Sequence, residues 1–232
     1  MPETGAEHER RGDEDWAAHL EREQRRYADS EARLPEATDG DVRQRQLTRL
    51  GNAAAGAGLA LLMQGRQDES GEWLRRAAAR YRESFADAPP ASWGRPLGAM
   101  KALLLADDRS GAEDAARWAL DAGARHAASP IGRYAAALAL LVLGEDAQAR
   151  PHAEAIRLRD DFPHDVGDAL AFLAARDVLG YTEAVESVLA SFEARDEYLE
   201  GLPVADTVLV LQALARERDL DVPLSSPLLP PT

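Results

Sequence analysis

Apolar residues recur three and four positions apart along almost the whole of this 232-residue chain, and no window shows the sustained two-residue alternation of a strand. A chain patterned this way has one apolar side per helix to bury, which predicts an all-α fold. The clearest stripe is Ile131, Tyr134, Leu138 and Leu141, with Ser129 placed as N-cap, Pro130 at the first helical position and Gly144 at the end. Val185, Val188, Leu189, Phe192 and Leu199 form a second stripe, and Trp73, Ala77, Tyr81 and Phe85 a third.

The same pattern predicts helices over about 14–35, 40–64, 68–88, 92–106, 110–125, 130–143, 146–160, 164–179, 182–200 and 204–218. Links this short cannot carry the chain across the molecule, so sequential helices pack antiparallel and the unit is a helical hairpin. Mid-hairpin punctuation at Gly65-Arg66-Gln67, Asp107-Asp108, Gly144-Glu145-Asp146 and Gly180-Tyr181 recurs at intervals of 42, 37 and 36 residues, an internal repeat. Helix starts follow the same period. Ser92-Trp93-Gly94-Arg95 and Ser129-Pro130-Ile131-Gly132-Arg133 each join a capping serine to a Gly-Arg pair, and Gly167 follows 35 residues after Gly132.

The segment Leu143-Gly144-Glu145-Asp146-Ala147-Gln148-Ala149-Arg150, with the small residue Ala137 one helix earlier, resembles the turn of a tetratricopeptide repeat. The resemblance extends over about residues 52–201 in degenerate form and is best in the third hairpin. It implies an α-solenoid of about four to five antiparallel hairpins, a right-handed superhelix with a concave ligand-binding surface. In that arrangement the first helix of each pair lines the concave side. Arg95 and Arg133 would then project to one side, with Lys101 further along the helix of Arg95, and Trp93 and Tyr134 would rim the groove. The alternative has each arginine bracing the repeats against an acid such as Glu113, Glu145 or Asp168, with Trp93 and Tyr134 in the core.

The expected organisation is a disordered segment over 1–13, a single helical-repeat domain over 14–219 and a Pro/Leu-rich tail over 220–232. The first helix carries Trp16, Leu20 and Tyr27 on one side and an i, i+4 pair, Glu21 and Arg25, on another, as suits a cap or a partly detached segment. Val208-Leu209-Val210-Leu211 is apolar all round, so the last helix needs cover on two sides. The tail from Pro223 to Pro231 folding back over it is one solution; a second copy of the chain, making a homodimer, and an external partner are the others.

The absence of cysteine removes disulfides, thiol nucleophiles and thiolate metal sites, and fits a reducing cytoplasm. A net charge of −14, with no basic cluster, disfavours nucleic acid and anionic membranes as partners. No apolar run approaches the roughly 20 residues of a membrane span or forms a signal peptide. Five histidines stand at 8, 19, 126, 152 and 164. His164-Asp165 resembles the His-Asp pair of the HD phosphohydrolases, whose metal ions activate water; His126 or His152 and Asp206 would supply the remaining roles. The plainer reading is a helix start with an acid in its first turn. Asp160, Asp161, Asp165 and Asp168, with His152, would offer oxygen ligands to a cation, but without EF-hand spacing, and read as a solvated acidic loop. Gly51 to Gly58 falls inside a helical period, so its small side chains are explained by a close neighbouring helix rather than by phosphate binding.

No metal or other cofactor is expected, and no catalytic constellation explains any of the chain. The leading expectation is a non-catalytic module that holds a protein or peptide partner on a concave surface. An acidic inhibitor or immunity-type protein against a basic partner is the alternative, and a metal-dependent phosphohydrolase the second.

Overall fold

A computed structural model of the chain describes residues 15–231; the segment over 1–13 expected to be disordered lies outside the described residues. Among the described residues the fold is all-α, with ten α-helices, three short 3-10 turns and no strand. The helices are α1 (Trp16–Arg33), α2 (Gly40–Met63), α3 (Gln67–Phe85), α4 (Gly94–Leu105), α5 (Arg109–Asp121), α6 (Pro130–Val142), α7 (Asp146–Arg157), α8 (His164–Ala175), α9 (Val178–Glu193) and α10 (Asp206–Arg216). None of them is long and apolar enough to cross a membrane.

Short polar side chains start the helices by accepting backbone N–H groups that lack an intrahelical partner. Asp15 accepts from Ala18 (2.9 Å), Asp39 from Val42 (3.0 Å), Asp108 from Gly111 (2.9 Å) and Ser129 from Gly132 (3.3 Å). The hairpin turns end their first helices in one way. Gly65, Asp107, Gly144 and Arg176 each take a left-handed φ, between 53° and 72°. In every case that residue and the one after it donate back to two carbonyls of the last turn, as Gly144 does to Leu141 (3.1 Å) and Glu145 to Leu140 (2.8 Å). This is the Schellman arrangement, and α10 closes with it as well, at Asp219.

The fourth turn corrects the sequence reading. Gly180-Tyr181 lies inside α9, and the chain turns at Arg176-Asp177 instead. Glycine is the usual carrier of a positive φ, but here Arg176 takes it (φ 54°) while Asp177 caps Gly180 N at 3.1 Å. Gly180 serves packing: a Cβ there would lie 2.5 Å from the Phe172 ring. Tyr181 is fully buried, with its hydroxyl donating to Gln212 Oε1 (3.0 Å).

Each helix packs on its neighbours in the chain; α4 also touches α6, α6 touches α8, and α10 returns to lie against α4 and α8. With neighbours around it, α6 buries every residue from Tyr134 to Val142. Each fully buried leucine there contributes about 1.5–3 kcal/mol. Successive hairpins interlock at the turn end. Gln67 Nε2 donates to Leu105 O (3.5 Å), and Arg109, at the start of α5, donates to Val142 O, so each places a donor on the open carbonyls of the next helix end.

The first helix is docked along α2. Its Leu20 and Tyr27 are buried, Trp16 packs against the cluster of Leu20, Ala57, Ala60 and Leu61, and the expected Glu21–Arg25 pair forms at 2.6 Å on the outer side. The small residues of α2 act as close-approach points. An added Cβ would lie 2.6 Å from Leu74 at Gly58, 2.6 Å from the Tyr81 ring at Gly51 and 2.9 Å from Glu23 at Gly56. At the other end the tail folds back over α10. Leu228 is 1% exposed, its carbonyl accepts from Ala205 N (2.9 Å), and Ser226 Oγ donates to Glu193 (2.7 Å). Val208, Val210 and Leu211 are all fully buried, so the tail supplies one of the covers that the last helix requires.

Candidate functional site

Between α2 and α4 on one side and the start of α10 on the other lies a two-compartment cavity, of which one compartment extends to α6 and α8 and is roofed by residues between Arg195 and Val204. The compartments, of about 350 and 370 Å³, share Asn52, Ala55, Leu59, Tyr81, Leu97, Lys101 and Asp206 as a common wall. Such volumes fall at the lower end of those that hold small ligands or a bulky side chain.

Glycines position the first polar group of that wall. The Tyr81 ring is clamped between Gly51 of α2 and Gly98 of α4, where added Cβ atoms would lie 2.6 and 2.9 Å away. Its hydroxyl donates to Asn52 Oδ1 (3.0 Å), Asn52 Nδ2 donates to Glu200 Oε1 (2.9 Å), and Glu200 pairs with Arg26 (2.5 Å). Arg26 in turn holds Glu23, whose side chain is fully buried (2.8 Å). Burial pushes the Tyr81 phenol up, with Glu200 and Asp206 adding to it, so the phenol stays protonated and a donor. Glu200 itself takes a left-handed φ of 57°, which turns the roof down onto α1 and α2.

The second polar group is Lys101, the only lysine of the chain against 26 arginines. It pairs with Asp206 at 2.5 Å and donates to Thr207 Oγ1 at 3.3 Å, tying α4 to α10. Burial pulls its ammonium down, but Asp206 and Tyr134 together outweigh this and the net displacement is upward, so Lys101 stays charged. Tyr134 is buried beside this pair and meets Phe162 edge-on at 5.6 Å between ring centroids.

The five residues singled out in the sequence are divided by the structure. Arg95 and Lys101 line one compartment, and Lys101 and Tyr134 the other. Trp93 is buried against Gly132, where an added Cβ would lie 2.7 Å from the indole. Arg133 lines neither compartment; its charge acts on His152 instead. The register explains why. With the turn residues Asp107 and Gly144 aligned, Arg95 falls on Gly132 rather than on Arg133, and one residue is about 100° of rotation around a helix. Nor does Ser92 cap: its hydroxyl donates to Pro89 O (2.6 Å), Ala91 takes φ 62°, and Trp93 holds the N-cap position with no side-chain bond. The acids considered as braces are engaged by other arginines, Glu113 by Arg109 and Arg117, Glu145 by Arg125 (3.8 Å) and Asp168 by Arg157 (2.7 Å). Arg95 is braced through neutral groups, donating to Ser84 Oγ (3.0 Å) and Gln44 Oε1.

His152 carries the consequence of its cationic surroundings. Partial burial, followed by Arg133, Arg125 and His126, pulls its imidazolium below the usual histidine value. The unfolded chain therefore takes up this proton first as pH falls. The stability due to neutral His152 is fully present above about pH 6.5 and is lost as the pH drops through the lowered value. Melting temperatures from pH 8 to 5 are expected to fall less steeply in His152→Gln than in the parent; equal slopes would remove this role.

The acidic loop between α7 and α8 does not gather ligands. Arg159 engages both oxygens of Asp161 (2.7 and 2.8 Å), and His164 Nδ1 meets Arg157 O at 2.9 Å. Among the described residues no group of three or more His, Asp or Glu side chains is arranged to hold a metal ion. Asn52, Tyr81, Glu200 and Asp206, which build the cavity with Lys101, did not stand out as a group, because their separations in the chain carry no periodic signal. The clearest local hint was the glycine spacing of α2. No family model, curated protein or solved structure matches the chain.

Proposed function

We propose that the chain is a non-catalytic binding module, a tetratricopeptide-like solenoid of helical hairpins that takes a protein or peptide segment on its inner side. The observation that carries this reading is the cavity itself, lined by the first helices of successive hairpins and opening beside Ile131, which is 38% exposed. Its walls are mainly apolar, from Ala55, Leu59, Leu97, Val166 and Phe192, with a few convergent polar groups. That is the composition of a site that buries a side chain and fixes its orientation. Because α10 fills part of the inner side, a short segment with one bulky apolar residue suits the remaining space better than a long helix. The common Schellman turns and the interlocking donors at the turn end support the repeat.

A displayed library of random peptides, panned on the purified protein, tests this. Retained peptides are expected to share a bulky apolar residue and to lose at least tenfold in affinity to Ala55→Trp, which fills the cavity, and to Ile131→Asp, which charges its rim. Peptides bound equally well by both variants, each checked for an unchanged thermal transition, would place recognition elsewhere and sink the reading.

A further inference from the structure

We infer that the cavity compartment lined by Arg95 is a binding site for an amphipathic small-molecule carboxylate, with the carboxylate on the Arg95 guanidinium and the apolar body along Leu97 and Leu59. This rests on the inner side being the ligand side and adds a ligand class to it.

Three observations carry the inference. First, Arg95 is a cation held in place without a counter-ion. Its Nε donates to Ser84 Oγ at 3.0 Å and one Nη2 proton goes to Gln44 Oε1, both neutral acceptors on α3 and α2. Among the described residues no carboxylate lies within ion-pair distance of it; of the arginines on neighbouring α3, Arg75, Arg76 and Arg80 each reach one, while Arg82 stacks on the Trp118 ring at 5.1 Å instead. A guanidinium has five N–H donors, so three of those on Arg95 remain for a ligand. Arg95 is partly buried, and with no carboxylate beside it that burial pulls its guanidinium below the usual arginine value.

Second, the charges lining this compartment do not balance. Two cations, Arg95 and Lys101, face one anion, Asp206, and Asp206 is already paired with Lys101 at 2.5 Å. In a chain of net charge −14 this is a local excess of one positive charge. One singly charged anion satisfies it. A planar carboxylate matches the fork of a guanidinium in a way that a spherical anion does not.

Third, the remaining wall is apolar and of limited size. Ala55, Leu59, Leu97 and Leu105 line a space of about 350 Å³. A wholly polar anion would leave these side chains against water; an acyl or aryl body removes both surfaces from water.

Isothermal titration with hexanoate, octanoate and decanoate, and with octanol as the neutral counterpart, tests the site. Saturable one-to-one binding is expected, tightening with chain length until the compartment is full, with octanol at least tenfold weaker than octanoate. Arg95→Gln should abolish the preference for acid over alcohol, and Arg95→Lys should restore part of it. Because Arg95 also braces Gln44 and Ser84, Ala55→Trp supplies a second variant that keeps those bonds, and it should weaken every acid at least tenfold. No saturable binding of any acid, octanol binding as tightly as octanoate, or octanoate binding unchanged in Arg95→Gln and Ala55→Trp would each overturn the inference. Octanoate bound while no library peptide is retained keeps this site and removes the protein-segment reading; peptides retained through the cavity while no acid binds remove this site alone.

Discussion

Replacing Asp146 by alanine is expected to destabilise the protein by about 3–5 kcal/mol, the range for leaving one half of a buried ion pair without its partner. For a chain of this length that corresponds to a fall in Tm of roughly 6–20 °C. The reason is Arg218, whose side chain is 3% exposed and lies at 2.5 Å from Asp146, itself 13% exposed. Arg218 follows α10 and donates also to Leu214 O (2.9 Å) and to Leu141 O (2.7 Å) at the end of α6. One guanidinium thus fastens the last helix to the third hairpin turn. Without the carboxylate, its charge stays buried among carbonyls, and the remaining acid, Glu217, is 3.8 Å away, about one-third exposed and shared with Arg109, so it offsets the loss only weakly. Arg176, the other partner of Asp146 at 3.1 Å, is 64% exposed and simply returns to water. The double variant Asp146→Leu with Arg218→Met should therefore be closer to the parent than Asp146→Ala alone, since replacing a buried pair by apolar groups is often nearly neutral. Urea unfolding of the three proteins checks this. Equal stability of Asp146→Ala and the parent would show that the pair is solvated and holds nothing.

That contact also marks where the sequence stops being readable. The ten helices lie within a few residues of their expected bounds, except around the fourth turn and the end of α9, because amphipathic period and caps are local properties. The turns were legible where glycine or an aspartate pair announced them, at Gly65, Asp107 and Gly144. The fourth was missed because Arg176 adopts the left-handed conformation and the nearby glycine, Gly180, answers to the Phe172 ring. Motif likeness misled at the Gly-Arg pairs, where one residue of register relative to the turns sends Arg95 into the cavity and Arg133 toward His152. The candidate site was legible only in Arg95, Lys101 and Tyr134. Its other half comes from pairings such as Asn52 with Glu200 and Lys101 with Asp206, which join the second helix and the fourth to the region around the last. Nothing local encodes them; they follow from how tightly α1, α2 and α3 approach one another and from the return of α10 to lie against α4 and α8.

The return of α10 depends on the tail, and Leu228→Ala is expected to destabilise by about 2–5 kcal/mol, as buried leucine truncations do. Leu228 is 1% exposed within the main core, and three polar contacts fix the strap around it. Leu228 O accepts from Ala205 at the start of α10 (2.9 Å), Ser226 Oγ donates to Glu193 at the end of α9 (2.7 Å), and Gln212 joins Val222 O to the Tyr181 hydroxyl (3.0 Å to the latter). A strap, unlike a residue in mid-helix, has a second option when truncated. It can detach, in which case the loss is limited to the free energy that held it and the apolar sides of α10 near Val210 and Leu211 meet water. Either route lowers the unfolding midpoint. Only detachment also creates an exposed apolar surface, so sedimentation of Leu228→Ala should become concentration-dependent while that of the parent does not change over the same range. A variant with the parent's midpoint and sedimentation would mean that the tail adds nothing to the cover of α10, and the apolar circumference of that helix would need another explanation.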